Sequence, residues 1–257
     1  MRHTSHRFVR GILASLLLLG SITGNALPLF AQIESTIGFT PPEDKIGEPR
    51  NTGAGGSRGK CLKDPQDKPT LTVLAPQLPQ SSEREILRGG LTQDDSPALF
   101  VYVPETVAKT ADFLLLEQLE EGRSKELHYH EFSLPQQSGI VRFSLPVALE
   151  EGKTYEWHFA LICDPDDRNG DAIAAGTIER ISPVSLPTPD ADPMAQIAHY
   201  GKAGLWYDFF ALLTEERDKS PQLQAVWETA LQGEFGQNTP IAQAPFLSCC
   251  SIVAREE

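Results

Sequence analysis

The stretch Tyr155-Glu156-Trp157-His158-Phe159-Ala160-Leu161 alternates large apolar residues with polar or small ones. Successive side chains of a β-strand point to opposite faces, so the alternation places Tyr155, Trp157 and Phe159 on one buried face. Six further segments are rich in β-branched, aromatic or leucine residues, and they cover residues 70–74, 99–103, 113–116, 127–132, 140–145 and 176–181. Seven short strands separated by turn signals predict an antiparallel β-sandwich.

The residues before this strand form a recognisable corner. Leu149 and Tyr155 stand six apart with Gly152 between them, which resembles the corner that precedes strand F of fibronectin type III domains. In such corners the tyrosine hydroxyl bonds back to the chain that crosses between the two sheets. The pattern therefore predicts an architectural role for Tyr155 and a core position for Trp157.

The periodicity changes after residue 190. Asp192 followed by Pro193 is typical of a helix start, and the broad apolar face from Leu205 to Leu213 includes Trp206. Ser220-Pro221 begins another helix, which carries Trp227 and which we expect to end at Gly233.

The resulting fold class is α+β: an immunoglobulin- or fibronectin-III-like sandwich over residues 61–183, followed by a helical hairpin within residues 190–257. We expect the hairpin to pack against the sandwich or beside it, with Trp206 and Trp227 as structural residues. A partner-binding groove on the hairpin is the alternative.

The N-terminus predicts export. Arg2, Arg7 and Arg10 precede an apolar run at 11–19, and no acidic residue occurs before Glu34. These are the features of a secretory signal peptide, with cleavage expected after Ala31. The alternative is an uncleaved membrane anchor, because residues 11–31 hold no charge and have about the length that spans a bilayer. The expected location is the periplasm or the cell exterior, with membrane attachment only if the signal is retained.

Net charge excludes one class of partner. Once the three signal arginines are set aside, 19 basic residues stand against 35 acidic ones, which leaves a net charge of −16. Nucleic-acid binding requires a basic surface, so no nucleic-acid partner is expected.

Four cysteines occur in the chain. Cys61 and Cys163 bracket the β-rich region, and an oxidising compartment favours their pairing. A bond between them would close a loop of about 100 residues, which the chain-entropy account values at about 4–5 kcal/mol. Cys249 and Cys250 are adjacent, and a local disulfide, intermolecular bonds and free thiols all stay open for them.

Residues 32–60 are rich in proline and glycine and predict a linker. The tract 55–59 matches the G-x-S-x-G nucleophile pattern, but it lacks the strand before and the helix after that this motif requires. It also departs from a phosphate loop, and no nucleotide partner is expected. A weaker hypothesis is an anion-binding loop formed by Gly55, Gly56, Arg58 and Lys60.

Two motifs suggest a metal. His128 and His130 lie on one face of a predicted strand, a spacing compatible with zinc, although two exposed histidines on a polar face are the commoner outcome. The acidic stretch 164–171 has the composition of a calcium loop but not the register of an EF-hand, and an acidic hairpin tip is the alternative. Its candidate ligands are Asp164, Asp166, Asp167, Asn169 and Asp171.

Several short segments occur in an order that resembles the cyanobacterial domain-of-unknown-function family 928 (DUF928). They lie at residues 55–61, 71–76, 96–104, 152–157, 162–165, 178–180 and 204–208. The resemblance implies a secreted or periplasmic protein with no assigned activity. The Cys249-Cys250 tail lies outside the pattern of that family.

No catalytic set occurs with its required sequence context, so an enzyme is not expected and no cofactor is implied. The leading hypothesis is an exported, non-catalytic envelope module that binds another exported protein. The alternative is a calcium- or zinc-dependent binding protein or hydrolase that uses His128, His130 and the loop 164–171.

Overall fold

The computed structural model describes residues 37–42, 60–63, 69–79, 81, 86–185, 192–236 and 240–248. The predicted signal segment 1–31, the glycines and Arg58 of the suggested anion loop, and Cys249 with Cys250 lie outside these residues. Within the described part, no helix combines the length and apolarity that crossing a bilayer requires.

Nine strands form two sheets in the described residues, and all seven predicted strands are among them. One sheet has four strands in the order β1-β3-β6-β9, and the other has five in the order β2-β8-β7-β4-β5. The bounds are β1 Thr72–Val73, β2 Gly89–Thr92, β3 Ala98–Val103, β4 Thr110–Gln118, β5 Ser124–Ser133, β6 Gly139–Ser144, β7 Thr154–Ile162, β8 Ala172–Arg180 and β9 Phe246–Leu247.

Both sheets are mixed. The seven predicted strands pair antiparallel with one another, and the parallel pairs come from two strands that the sequence did not predict. The short strand β2 pairs in parallel with β8, and β9 pairs in parallel with β6. Neither strand has enough residues to show an alternating pattern. Gly89 lets β2 approach closely, because a Cβ there would lie 2.7 Å from the Thr177 carbonyl oxygen.

An aromatic core fills the space between the sheets. The ring of Phe143 on β6 lies 4.9 Å from Phe113 on β4 and 6.1 Å from Trp157 on β7. Gly176 stands opposite Trp157, and a Cβ at that glycine would lie 2.7 Å from the indole. The position of the Trp157 indole therefore requires a residue without a side chain at 176 on the neighbouring strand.

Three helices follow the sandwich where a two-helix hairpin was expected. They are α1 Pro193–Lys202, α2 Trp206–Glu216 and α3 Pro221–Phe235. Asp192 caps α1 by accepting a hydrogen bond from the Ala195 amide at 3.1 Å. Gly204 then adopts a φ of +73°, which ends the first helix and turns the chain into α2. The third helix continues through Gly233 to Phe235, since a single glycine only weakens a helix interior.

These helices cover the side of the four-stranded sheet that faces away from the sandwich core. Phe210 of α2 lies 5.0 Å from Phe100 of β3, and its other side stacks at 4.9 Å on Trp227 of α3. All six residues of β3 are buried, because the sandwich core covers one face of the strand and the helices cover the other. The helical region and the sandwich therefore share one continuous apolar core.

The start of α2 is fixed to three strand regions. Trp206 donates from Nε1 to the Leu74 carbonyl at 2.9 Å, and Tyr207 donates from its hydroxyl to the Thr177 carbonyl at 2.9 Å. Asp208 accepts from the Gln93 amide at 3.2 Å. Burial raises the pKa of the Asp208 carboxyl to about 6.

Two predicted staples are present in the sandwich. Cys61 and Cys163 form the expected disulfide, with their Cα atoms 5.0 Å apart. The Tyr155 hydroxyl accepts a hydrogen bond from the Glu150 amide at 2.8 Å, which ties the corner to the start of β7. The Tyr155, Trp157, Trp206 and Trp227 side chains are all buried.

Candidate functional site

The five-stranded sheet has one side that the helices leave open. The three helices pack mainly on β2, on β3 and on one another. We call the side of β4, β5, β7 and β8 that faces away from the sandwich core the outer face. Strand alternation and register assign to it Asp112, Leu114, Leu116, Gln118, Glu126, Tyr129, Glu131, Glu156, His158, Ala160, Ile173, Ala175, Thr177 and Glu179.

A first ionic group on the outer face, the Asp112 cluster, comprises Asp112, Tyr129, Arg168 and Asp171. The Arg168 guanidinium donates to the Asp112 carboxylate at 2.6 Å and also binds the Asp171 carboxylate. The Tyr129 hydroxyl donates to the same Asp112 oxygen at 3.3 Å. Hydrogen bonding to Asp112 raises the pKa of Arg168 above its usual value, and burial together with the Asp112 charge raises that of Tyr129. The cluster therefore ties the loop after β7 to β4 and β5.

A second group, the Glu156 cluster, comprises Gln118, Glu156 and His158. The Glu156 side chain is fully buried although it lies on the outer face. One carboxylate oxygen is 2.6 Å from Nε2 of His158, and the other accepts from the Gln118 amide at 2.7 Å. His158 and Gln118 thus shield the carboxylate from water while satisfying both of its oxygens.

The Glu156–His158 pair resembles the acid–imidazole half of a catalytic triad. A triad also needs a nucleophile within hydrogen-bond reach of the imidazole. Among the described residues, no hydroxyl or thiol hydrogen-bonds His158. The pair holds the buried Glu156 carboxylate in a fixed geometry.

The suggested histidine pair lies on the other side of the same sheet. His128 and His130 pair with Leu115 and Phe113, which belong to the sandwich core, and their ring centroids are 6.2 Å apart. The loop 164–171 reaches the outer face through Arg168. The structure therefore does not bring the histidines and the acidic loop together.

The acidic loop uses its carboxylates to shape its own turn. Asp164 accepts from the Asp166 amide at 3.0 Å, Asp167 accepts from the Asn169 amide at 3.2 Å, and Asp171 accepts from the Cys163 amide at 2.9 Å. Within the described ranges, no group of three or more His, Cys, Asp or Glu residues could hold a metal ion. The loop has the geometry of a self-bonded turn.

Lys60 is the one residue of the suggested anion loop that the structure describes. Its amide donates to the Gly170 carbonyl at 3.0 Å, and its ammonium lies 3.4 Å from the Asp167 carboxylate. Both partners belong to the acidic loop, so Lys60 joins the start of the sandwich to that turn next to the disulfide.

Strand β5 forms one edge of the five-stranded sheet. This strand pairs with β4 alone in the described part of the chain. Lys125, Glu126 and Glu131 place exposed charges along this edge. Charged edge strands resist indiscriminate pairing with other strands.

Sequence reasoning missed both ionic clusters. Glu156 and His158 stand two apart on a strand, which is the one local signal that they share a face. Their contact with Gln118, and that of Asp112 with Arg168, depend on strand register and on loop placement. Neither can be read from local spacing.

One comparison with known proteins bears on identity. A family model described as Domain of Unknown Function (DUF928) matches residues 53–246. The match covers more than half of the chain, so the chain belongs to this family. No curated protein matches the chain.

Proposed function

We propose, starting from its membership of the DUF928 family, that this protein is an exported, non-catalytic module that binds another exported protein through the outer face. The observation that carries the proposal is an open sheet face whose charged groups are held in place by the Asp112 and Glu156 clusters. The partner we infer presents a basic surface.

Export is supported by the sequence features of the N-terminus and by the cross-link. Cys61 and Cys163 are 102 residues apart and bonded. Disulfides of this kind persist in oxidising compartments and are rare in the cytosol. A periplasmic or extracellular location agrees with both observations.

Charge and exposure support the kind of partner. Carboxylates supply the accessible charge of the outer face: Glu126 and Glu131 are exposed and Glu179 is half-buried, whereas Asp112 and Glu156 are buried within their clusters. Tyr129 and Ile173 are also exposed there, at 38% and 36%. An aromatic and an aliphatic side chain rimmed by carboxylates suit a basic protein surface, because complementary charge directs encounter and apolar contact adds affinity.

Strand order supports a finer description of the frame. The order β1-β3-β6 in one sheet and β8-β7-β4-β5 in the other agrees with an immunoglobulin- or fibronectin-III-like sandwich. On this view β2 and β9 are additions to the two sheets. Many cell-surface recognition domains share the sandwich architecture, so this frame is compatible with a binding role.

Site-specific photo-cross-linking in the producing cell tests the proposal. Photoreactive residues replace Tyr129 and, separately, Ile173, while exposed Thr229 on α3 serves as the matched control. We expect one discrete adduct from both outer-face positions and none from the control.

A charge-reversed variant makes this test specific. Glu126→Lys combined with Glu131→Lys should reduce the adduct yield at least tenfold without changing the melting temperature, because both side chains are exposed. Equal adducts from Thr229, or a yield that ignores the charge reversal, would contradict the proposal. Mass analysis of the exported chain tests location separately, with Gln32 expected as its first residue.

A further inference from the structure

A short N-terminal segment packs on the helical layer. Residues 37–42 lie within the predicted linker, yet they contact α1 and α2. The Phe39 ring lies edge-on to Trp206 at 4.8 Å and 5.9 Å from Phe209. The Thr40 amide donates to the Gly201 carbonyl at 3.0 Å. Phe39 supplies the apolar group that a Pro/Gly linker was expected to lack.

The surface that receives this segment is shaped by two glycines. A Cβ at Gly201 would overlap the carbonyl oxygen of Gly38, and a Cβ at Gly204 would lie 3.2 Å from Cδ of Pro42. Trp206 and Phe209 form the apolar wall between them. We call this surface the α1–α2 groove. It fits an extended peptide with an aromatic anchor preceded by glycine and followed by proline.

Chain connectivity allows two ways of filling the groove. Seventeen residues separate Pro42 from Lys60. A chain of that length spans at most about 60 Å. The segment can therefore reach the groove of its own copy or that of a neighbouring one, and its contacts with the groove are the same in both cases.

We propose that the α1–α2 groove is a peptide-recognition site and that two copies of this chain associate by exchanging residues 37–42. At low protein concentration each segment fills the groove of its own copy. Exchange becomes competitive as the protein concentration approaches the effective concentration that a short connection between two binding elements sets, which is of millimolar order. This inference does not depend on the outer face.

The first experiment supplies the segment as a separate peptide. Phe39→Ala in the full exported chain removes the anchor and leaves the groove intact. A synthetic peptide spanning residues 36–43 should bind this variant saturably and restore its lowered melting temperature. The same peptide with alanine in place of Phe39 should do neither. Absence of peptide binding to the Phe39→Ala chain would overturn the proposal.

The second experiment combines two complementary variants. Gly201→Ala blocks the groove through its overlap with Gly38 and leaves the segment intact, whereas Phe39→Ala does the reverse. Each variant alone should be a monomer in sedimentation, and an equimolar mixture at high concentration should contain a one-to-one heterodimer.

Peptide binding without a heterodimer would refute exchange between copies. If Gly201→Ala fails to fold, the wild-type chain mixed with the Phe39→Ala chain at millimolar concentration provides the same readout. Its dimer fraction should exceed that of Phe39→Ala alone at least tenfold.

Discussion

The two sheets of this protein have opposite kinds of outer surface. The four-stranded sheet presents Phe100 to an aromatic layer of helices, with Phe210 and Trp227 stacked beyond it. The five-stranded sheet presents the Asp112 and Glu156 clusters and has no helix packed over them in the described chain. The first surface contributes apolar burial to stability. The second holds buried carboxylates in hydrogen-bonded clusters, with Tyr129 and Ile173 exposed beside them.

The difference between the two surfaces follows from the residue patterns of the strands. Strand β3 is an uninterrupted apolar run, Ala98–Val103, and is buried on both faces. Strand β7 alternates, with Trp157 and Phe159 facing inward and with Glu156 and His158 facing outward. Burying a polar side chain beneath helices would cost free energy unless it found a hydrogen-bond partner there. On the open side of the five-stranded sheet, hydrogen bonds or solvent satisfy such side chains.

The largest effect is expected in the covered layer. Phe210→Ala removes a fully buried ring that contacts Phe100, Trp206 and Trp227. We expect the free energy of unfolding to fall by about 3–5 kcal/mol, as for other buried phenylalanines. Leu114→Ala on the outer face is the control and should cost less than about 1.5 kcal/mol, because that side chain is only partly buried. Urea unfolding measures both values, and equal losses would contradict the contrast between the surfaces.

The next effect concerns a carboxyl group where α2 meets the sheet. Its raised pKa, about 6 against an ordinary 3.8, means that folded Asp208 binds its proton more tightly than unfolded Asp208. The contribution of this group to stability is therefore fully present below pH 3.8 and is lost as pH rises through 6.

Asp208→Asn removes that pH dependence. When the pH is lowered from 7 to 4, the free energy of unfolding of the wild type should rise by about 2–3 kcal/mol relative to that of this variant. Thermal unfolding at a series of pH values checks this, and a difference that does not change with pH would refute it.

A smaller effect is expected on the open surface. His158→Ala leaves the buried Glu156 carboxylate with Gln118 as its remaining described partner and should cost about 1–2 kcal/mol, since hydrogen bonds to charged groups are worth that much. Glu156→Gln in the same chain removes the buried charge and should recover part of the loss. A double-mutant cycle by urea unfolding measures the coupling, and a coupling energy near zero would show that the pair is independent.

The smallest effect should come from metal ions. The candidate ligands His128 and His130 face the core side of the sheet, and Asp164, Asp167 and Asp171 accept backbone hydrogen bonds within their loop. Saturating calcium or zinc should leave the melting temperature of the purified chain unchanged to within about 1 °C, because a ligand that does not bind the folded state cannot stabilise it. A saturable rise at one metal ion per chain would revive the metal-dependent alternative.

Much of the sandwich could be predicted from local pattern. Strand alternation, the turn glycines and the corner before Tyr155 are set within a few residues, and each appears where the sequence places it. The break between α1 and α2 was missed because a glycine such as Gly204 can either continue a helix or end it, and here it ends one with a φ of +73°. The parallel strands β2 and β9 were missed because they owe their pairing to neighbours distant in sequence.

The sequence by itself determined which residues alternate, where the chain turns and which cysteines bracket the sheets, because these depend on backbone sterics and on the hydrophobic period. Tertiary structure alone decided which of the two sheets the helices cover. It also brought Gln118 to Glu156 and Arg168 to Asp112, and it turned His128 and His130 toward the core side. Those outcomes follow from strand register and layer packing, which join residues distant in sequence and leave no periodic trace in it.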